Sequence, residues 1–181
     1  MGSVAGWDLK RRWVADAFAA LERAGYHVAS AYTAVKNPKQ TGFAFRDRLW
    51  EGADLVGIGV ASFGHINGVH VQNVDTWERY AASLTAGELP LGRAYRPSVD
   101  ERLIREFILQ IKRGAVRSPY FEENTAGPAR PVQAAACVAA VGGYLAELSP
   151  DRIALTREGL MRVDSLLHRF FLPEHTGIRY T

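Results

Sequence analysis

An apolar run that contains two glycines sets the narrowest limits on the fold. It extends from Leu55 to Phe63 without a charged residue. An uninterrupted apolar run of this length, preceded by turn residues at Asn37–Gly42, is typical of a strand that is buried on both faces. Such strands belong to parallel sheets that are covered by helices. The run therefore predicts an α/β fold.

The two glycines of the run, Gly57 and Gly59, allow two interpretations. A glycine inside a strand relieves crowding in the core, or it lets a ligand approach the backbone. The dinucleotide-binding fingerprint is excluded because Ser62 stands where the third glycine is required and no helix begins there. From the residues alone, both interpretations stay open.

Two histidines flank the turn dipeptide Asn67-Gly68, which favours a tight hairpin or an exposed loop over residues 64–73. A hairpin would bring His65 and His70 close together. The pair is a weak candidate set of metal or haem ligands because no carboxylate or thiol stands at a ligand spacing. The alternative is that both are ordinary polar residues of a loop.

The remaining sequence predicts mainly helices. A helix over Trp7–Arg23 ends before Gly25, and a short strand over Tyr26–Tyr32 follows. The same signals predict further elements: helices over Asp75–Ala86, Ser98–Gly114, Ser118-Pro119 and Val132–Leu148, a strand over Ile153–Leu155, and a last helix over Thr156–Phe171.

Two capping boxes, Asp75–Glu78 and Ser98–Glu101, mark helix starts. The segment Glu88–Pro97 between these helices carries two prolines and is predicted to be a loop. We expect the domain boundary in this loop, with one domain over residues 1–97 and another over residues 98–181.

Composition excludes several classes of protein. The 181 residues allow one domain or two small ones, and a net charge of +3 is too weak to imply a nucleic-acid partner. The single cysteine, Cys137, excludes a disulfide within the chain and does not suffice to hold an iron–sulfur cluster. A signal peptide and an apolar segment of membrane-spanning length are both missing, so we expect a cytoplasmic protein that has no membrane partner.

Self-contained hydrolytic or phosphoryl chemistry has no support. The sequence lacks a Ser-His-Asp order, a phosphate-binding glycine loop and a His-Glu-x-x-His motif. Arginines near the second capping box can hold the carboxylates of an anionic ligand, or they form a solvated face with Glu101 and Glu106. They are Arg93, Arg96, Arg102 and Arg105.

Six segments occur in a specific order: Ala53–Ser62, Gln72-Asn73, Trp77–Tyr80, Gly87, Arg102–Leu109 and Ile153–Gly159. In this order they resemble the C-terminal portion of the oxygen-independent coproporphyrinogen III oxidase family of radical S-adenosylmethionine (SAM) proteins. The resemblance extends over the chain from Arg12 onward.

The resemblance implies an α/β plus α fold. The last strands and helices of a partial (β/α) barrel would be followed by a helical, winged-helix-like domain that covers the substrate. In this family a CxxxCxxC motif holds a [4Fe-4S] cluster, which cleaves SAM to a radical that oxidises the substrate. This sequence lacks that motif. The chain is therefore expected to be inactive alone and to require the missing N-terminal segment or a partner subunit.

The resemblance also implies a set of site residues, with SAM as the cofactor and a tetrapyrrole of porphyrin biosynthesis as the substrate. Phe45 or Arg46 would approach the nucleotide or the substrate. The residues lining the SAM pocket would be Gly57, Gly59, Val60, Ala61 and Ser62, and the candidate substrate contacts are Asn73, Arg93 and Arg96.

Two other functions stay open. A haem-binding or haem-delivery protein would use His65 and His70. A winged-helix nucleic-acid module would use the helix over Val132–Leu148 for recognition, but that segment contains no Lys or Arg. Because binding in a DNA groove requires cations that neutralise phosphates, nucleic acid is the less favoured partner.

Overall fold

The computed structural model describes residues 4–117 and 142–175. There the chain mixes helices with small antiparallel sheets, and its strands form no closed barrel. The helices are α1 (Trp7–Arg23), α2 (Ala44–Trp50), α3 (Trp77–Thr85), α4 (Val99–Ile111), α5 (Arg157–Met161) and α6 (Val163–Leu167). The strands are β1 (His27–Ser30), β2 (Thr33–Val35), β3 (Phe63–Ile66), β4 (Val69–Asn73), β5 (Leu91–Tyr95), β6 (Ala115–Arg117), β7 (Leu145–Leu148) and β8 (Arg152–Leu155).

The chain divides into two compact units. Ala44–Arg102 forms one, and the described parts of Met1–Phe43 and Leu103–Thr181 form the other. Helix α4 begins in the first unit and continues in the second. The expected domains, residues 1–97 and 98–181, stay a prediction.

The unit of residues 44–102 is built on a three-stranded antiparallel sheet in the order β3-β4-β5. Strands β3 and β4 form a hairpin, as predicted, in which His65 lies opposite His70. Its turn residues Asn67 and Gly68 both have positive φ values, 47° and 75°, as a tight Asn-Gly turn requires. Strand β5 pairs with the other edge of β4.

The core of the other unit lies between α4 and the C-terminal strands and helices. Ile111 is fully buried, and the rings of Phe107 and Phe170 meet edge to face with centroids 5.1 Å apart. Strands β6, β8 and β7 form an antiparallel sheet in that order. The buried cluster comprises Leu103, Ile104, Phe107, Ile111, Val116, Ile153, Leu155, Val163, Leu166 and Phe170.

Several predicted boundaries are confirmed. Helices α1, α3 and α4 end just before Gly25, Gly87 and Gly114, whose φ values are 82°, 72° and 89°. The capping box at the start of α4 is formed. The Glu101 N–H donates to the Ser98 hydroxyl at 3.2 Å, and the Ser98 N–H donates to the Glu101 carboxylate at 2.6 Å.

The predicted buried strand over Leu55–Phe63 is wrong. Leu55 forms an isolated bridge with His65, and the chain then leaves the extended conformation because Gly59 and Ala61 have φ values of 105° and 56°. The strand pairs among the described residues are antiparallel, so the predicted parallel sheet is not found there. Three apolar side chains of the run are exposed: Val56 by 68%, Ile58 by 85% and Phe63 by 65%.

Other predicted elements also differ. The expected loop over Glu88–Pro97 contains strand β5, which gains its partner from β4. The C-terminal end of the expected helix over Val132–Leu148 is strand β7 instead, because Leu145–Leu148 pairs with β8. Residues 132–141 of that prediction, and the helix expected at Ser118-Pro119, lie outside the described residues. The last helix is divided at Arg162 into α5 and α6.

The capping box expected at Asp75–Glu78 is not formed. The cap of α3 is Thr76, and its side chain makes no capping hydrogen bond. Asp75 instead lies 3.6 Å from Arg79 in an exposed ion pair. In the two described ranges, no helix is both long enough and apolar enough to cross a membrane. A cytoplasmic location stays a prediction.

Candidate ligand-binding site

The segment Gly57–Ser62, called the glycine segment below, is fixed to the end of β4 by backbone hydrogen bonds. The Ala61 N–H donates to the Val74 carbonyl at 2.8 Å, and the Asn73 N–H donates to the Ser62 carbonyl at 2.9 Å. The C-terminal half of the segment is thereby attached to the sheet, although it forms no strand of its own.

Two buried side chains hold the N-terminal half of the glycine segment. The Asn73 side-chain amide donates to the Gly57 carbonyl at 3.0 Å and to the Gly59 carbonyl at 2.9 Å. The Tyr80 hydroxyl accepts a hydrogen bond from the Gly59 N–H at 3.0 Å. Asn73 and Tyr80 are each 8% exposed. Because buried polar groups need partners, these bonds stabilise one conformation of the segment.

Gly57 lies against the backbone of β3. A Cβ atom at this position would come 2.3 Å from the Phe63 carbonyl oxygen, so no larger residue fits without a shift of the backbone. Gly59 is required for a different reason, since its φ of 105° is rarely adopted by residues with a side chain. Gly57 therefore relieves crowding between two backbone segments. That the glycines face a ligand stays a prediction.

Some polar groups of the glycine segment remain available. The Ser62 hydroxyl donates to the Ile58 carbonyl at 2.7 Å. Within the described residues, the Ile58 N–H and the Val60 N–H and carbonyl form no hydrogen bond inside the chain. The Gly57 N–H has no partner among the described residues either. That a small molecule binds to these groups stays a prediction.

The hairpin brings the two predicted histidines together. The Nδ1 atoms of His65 and His70 are 3.3 Å apart, the ring centroids are 4.6 Å apart, and His65 is 6% exposed. This spacing leaves no room for a macrocycle between the two imidazoles. In the part of the chain that the structure describes, no three His, Cys, Asp or Glu side chains are grouped so that they could hold a metal ion.

Phe45 and Arg46 lie on α2. The Phe45 ring is 73% exposed. The Arg46 guanidinium pairs with the Asp47 carboxylate at 2.7 Å and lies over the Trp50 ring, 5.0 Å from its centroid. Arg46 is therefore held by its own helix. That either residue contacts a nucleotide or substrate stays a prediction.

Two of the four predicted arginines lie on or next to β5. Arg93 stands directly opposite Gln72, whose side-chain amide donates to the Ala61 carbonyl of the glycine segment at 3.0 Å. Arg96 follows β5, and both arginines are exposed. Among the residues with described positions, neither forms an ion pair, so each guanidinium is available to an anion.

Arg102 and Arg105 lie on α4. Arg102 Nη1 would be 3.3 Å from a Cβ atom at Gly68, which places this side chain against the hairpin turn. The Glu101 carboxylate, one expected partner of these arginines, accepts hydrogen bonds from the Ser98 N–H and the Tyr95 hydroxyl. It therefore takes part in capping the helix.

The sequence patterns did not identify Tyr80 as a site residue. It falls in the segment Trp77–Tyr80 that carries part of the resemblance, and that was the available signal. Its hydrogen bond spans 21 residues and depends on the unpredicted fold of the glycine segment. Asn73, in contrast, was predicted as a substrate contact, which stays a prediction. Its two side-chain N–H donors are directed to Gly57 and Gly59.

The fold is similar to that of coproporphyrinogen III oxidase (HemN) from Escherichia coli, a radical SAM enzyme. The TM-score is 0.68 at 15% sequence identity, and the match covers 92% of this chain and 42% of the HemN chain. This chain thus spans less than half the length of that structure. No protein-family model and no curated protein matches the sequence. At this level of identity, the likeness shows a shared fold.

Proposed function

We propose that this chain is part of a coproporphyrinogen III oxidase-like radical SAM protein and that its glycine segment lines the SAM pocket. The observation that carries the proposal is the fixed conformation of Gly57–Ser62 in a fold similar to that of HemN. A backbone that is already ordered favours ligand binding because the ligand does not have to order it first.

The residues of this chain do not fit the iron–sulfur cluster of such an enzyme. Clusters of this kind are held by several cysteine thiolates, and the sequence contains one cysteine, Cys137, which lies outside the described residues. The match to 42% of the HemN chain supports the proposal that another segment or a partner subunit supplies the cluster. The chain alone is then inactive.

The substrate in this proposal is a tetrapyrrole. Its carboxylates would be bound by Arg93 and Arg96, whose exposed guanidinium groups have no ion-pair partner among the described residues. Residues 98–181 would cover the substrate as a winged-helix-like domain. The antiparallel order β6-β8-β7, with a β7–β8 hairpin before the last helices, supports this interpretation.

SAM binding can be tested on the isolated chain by NMR. We expect SAM added to the isotopically labelled chain to shift the amide resonances of Gly57–Ser62, with weak affinity because the remainder of the pocket is missing. Gly59→Ala should reduce these shifts, since the backbone conformation at Gly59 is strained for residues with a Cβ. Shifts that avoid the glycine segment, or no shifts at all, would overturn the SAM-pocket proposal.

A second assay tests the proposed dependence on another polypeptide. The purified chain is incubated anaerobically with iron, sulfide, a strong reductant and SAM. We expect neither cluster absorbance nor cleavage of SAM to 5′-deoxyadenosine. Cleavage by the chain alone would contradict the assignment of the cluster to a missing segment or subunit.

A further inference from the structure

Asn73 is placed so that one side chain controls two peptide groups of the glycine segment. It is the last residue of β4, next to a register irregularity at Gln72/Asn73, and it is almost fully buried. A carboxamide nitrogen has two N–H donors. The acceptors are the carbonyls of Gly57 and Gly59, at 3.0 and 2.9 Å, so both donors can be satisfied inside the chain.

Tyr80 binds a different backbone group of Gly59. Its hydroxyl lies 3.0 Å from the Gly59 N–H, and its buried ring stacks with Trp77 at a centroid distance of 6.1 Å. Gly59 is thus held at its N–H by Tyr80 and at its carbonyl by Asn73. Both contacts fix a residue with a φ of 105°, a conformation that is not maintained by regular secondary structure.

We infer that Asn73 and Tyr80 are positioning residues, and that together they set the direction in which the ligand-facing backbone of the glycine segment points. The ligand part of this inference rests on the proposed function. The hydrogen bonds of Asn73 and Tyr80 to the glycine segment, called the clamp below, do not depend on it. With the Gly57 and Gly59 carbonyls bonded to Asn73, the backbone groups of the segment that have no partner among the described residues are the N–H groups of Gly57 and Ile58 and the N–H and carbonyl of Val60.

Two substitutions remove hydrogen bonds of the clamp with little change in side-chain size. Asn73→Asp keeps the size of the side chain but replaces its two donors with an oxygen that repels the glycine carbonyls. Tyr80→Phe keeps the ring and removes the acceptor of the Gly59 N–H. Loss of one hydrogen bond corresponds to roughly a fivefold to tenfold change in an opening equilibrium.

Two further variants control for these changes. Asn67→Asp makes the same chemical change in the exposed turn of the same hairpin. Tyr26→Phe removes a hydroxyl that has no hydrogen bond among the described residues. All four variants are made in the full chain.

The first readout is independent of any ligand. We expect Tyr80→Phe to accelerate hydrogen exchange at the Gly59 amide about fivefold to tenfold. Asn73→Asp should shift the carbonyl carbon resonances of Gly57 and Gly59. Neither control variant should change the exchange rate at Gly59 or the carbonyl resonances of Gly57 and Gly59. If both test variants match their controls at Gly57 and Gly59, the clamp is overturned. Tyr80→Phe keeps this test valid even if Asn73→Asp does not fold.

The second readout is the SAM-induced shift of Gly57–Ser62 in the same variants. We expect the apparent affinity for SAM to fall by about fivefold to tenfold in folded Asn73→Asp and Tyr80→Phe, but not in the controls. Equal affinities would overturn the positioning role toward the ligand. If SAM shifts nothing in the unsubstituted chain while hydrogen exchange follows the expected pattern, the clamp stands and the proposed function fails.

Discussion

Gly57 and Phe63 approach each other through their backbones, with space for no side chain at Gly57. A Cβ atom there would lie 2.3 Å from the Phe63 carbonyl oxygen. We therefore predict that Gly57→Ala lowers the free energy of unfolding by about 1–3 kcal/mol, the usual range for inserting an atom into a packed site. Urea denaturation of the two proteins measures this difference.

Gly42→Ala is the matched control for this substitution. A Cβ atom at Gly42 meets no atom within 4 Å, and its φ is not in the positive range. Its free energy of unfolding should stay within about 0.5 kcal/mol of the unsubstituted value. Equal losses in the two alanine variants would contradict the close approach of Gly57 to β3.

Two isoleucines distinguish the core from the glycine segment. Ile111 is fully buried in the core around α4, whereas Ile58 is 85% exposed. Ile111→Ala should lower the free energy of unfolding by about 2–5 kcal/mol, because it removes buried carbon atoms and leaves a cavity. Ile58→Ala should change it by less than about 0.5 kcal/mol. A large loss at Ile58 would indicate the buried strand that the sequence predicted.

The two helix starts with capping-box sequences should respond differently to alanine. Ser98→Ala removes the hydroxyl that accepts from the Glu101 N–H and should cost about 1 kcal/mol of stability. Thr76→Ala at the start of α3 removes no capping bond and should cost clearly less. Thermal or urea unfolding of both variants checks the contrast, and a reversed order would contradict the described caps.

The Tyr32 hydroxyl donates a hydrogen bond to the carboxylate of Asp164, which lies 132 residues further along the sequence in the same unit. Burial raises the pKa of Tyr32 well above its ordinary value of 10.0, and the adjacent Asp164 carboxylate raises it further. The folded chain therefore keeps this proton at a pH at which the unfolded chain has lost it. The stabilisation is complete below pH 10 and is lost as the pH rises above that value.

The comparison with Tyr32→Phe tests this pH dependence. The unsubstituted chain should be more stable than the variant at neutral pH, by about 1 kcal/mol for one exposed hydrogen bond. This difference should shrink above pH 10, the ordinary pKa of tyrosine. In an ultraviolet titration, the variant should show one fewer tyrosine whose pKa lies above 10.0. If the stability difference between the two proteins grew with pH, the raised pKa of Tyr32 would be contradicted.

Local signals predicted much of the fold. Glycines after α1, α3 and α4 have the positive φ values that end helices, and the Asn67-Gly68 turn closes the β3–β4 hairpin. These features depend on neighbouring residues, so the sequence contains the information directly. The strand β5 was missed because prolines dominate the local pattern, while its pairing comes from the distant strand β4.

The candidate site was predicted in part. Sequence patterns singled out Gly57 and Gly59, and the structure shows a backbone requirement for glycine at both positions, whereas their role in a ligand pocket stays a prediction. The same patterns predicted an extended strand where Gly59 and Ala61 turn the chain. A continuous apolar run does not reveal a positive φ at an alanine. The hydrogen bond from Gly59 to Tyr80 depends on that turn, so it was not accessible before the fold was known.

Asn73 gives the hairpin an unexpected sensitivity to length. Successive side chains of a strand point to opposite faces, so a single residue inserted into Val69–Asn73 would direct the Asn73 amide away from Gly57 and Gly59. The glycines themselves would be untouched, yet the segment would lose the side chain that orients its peptides. Insertions and deletions in this hairpin should therefore fall at the Asn67-Gly68 turn, where they leave the Asn73 side chain on the same face of β4.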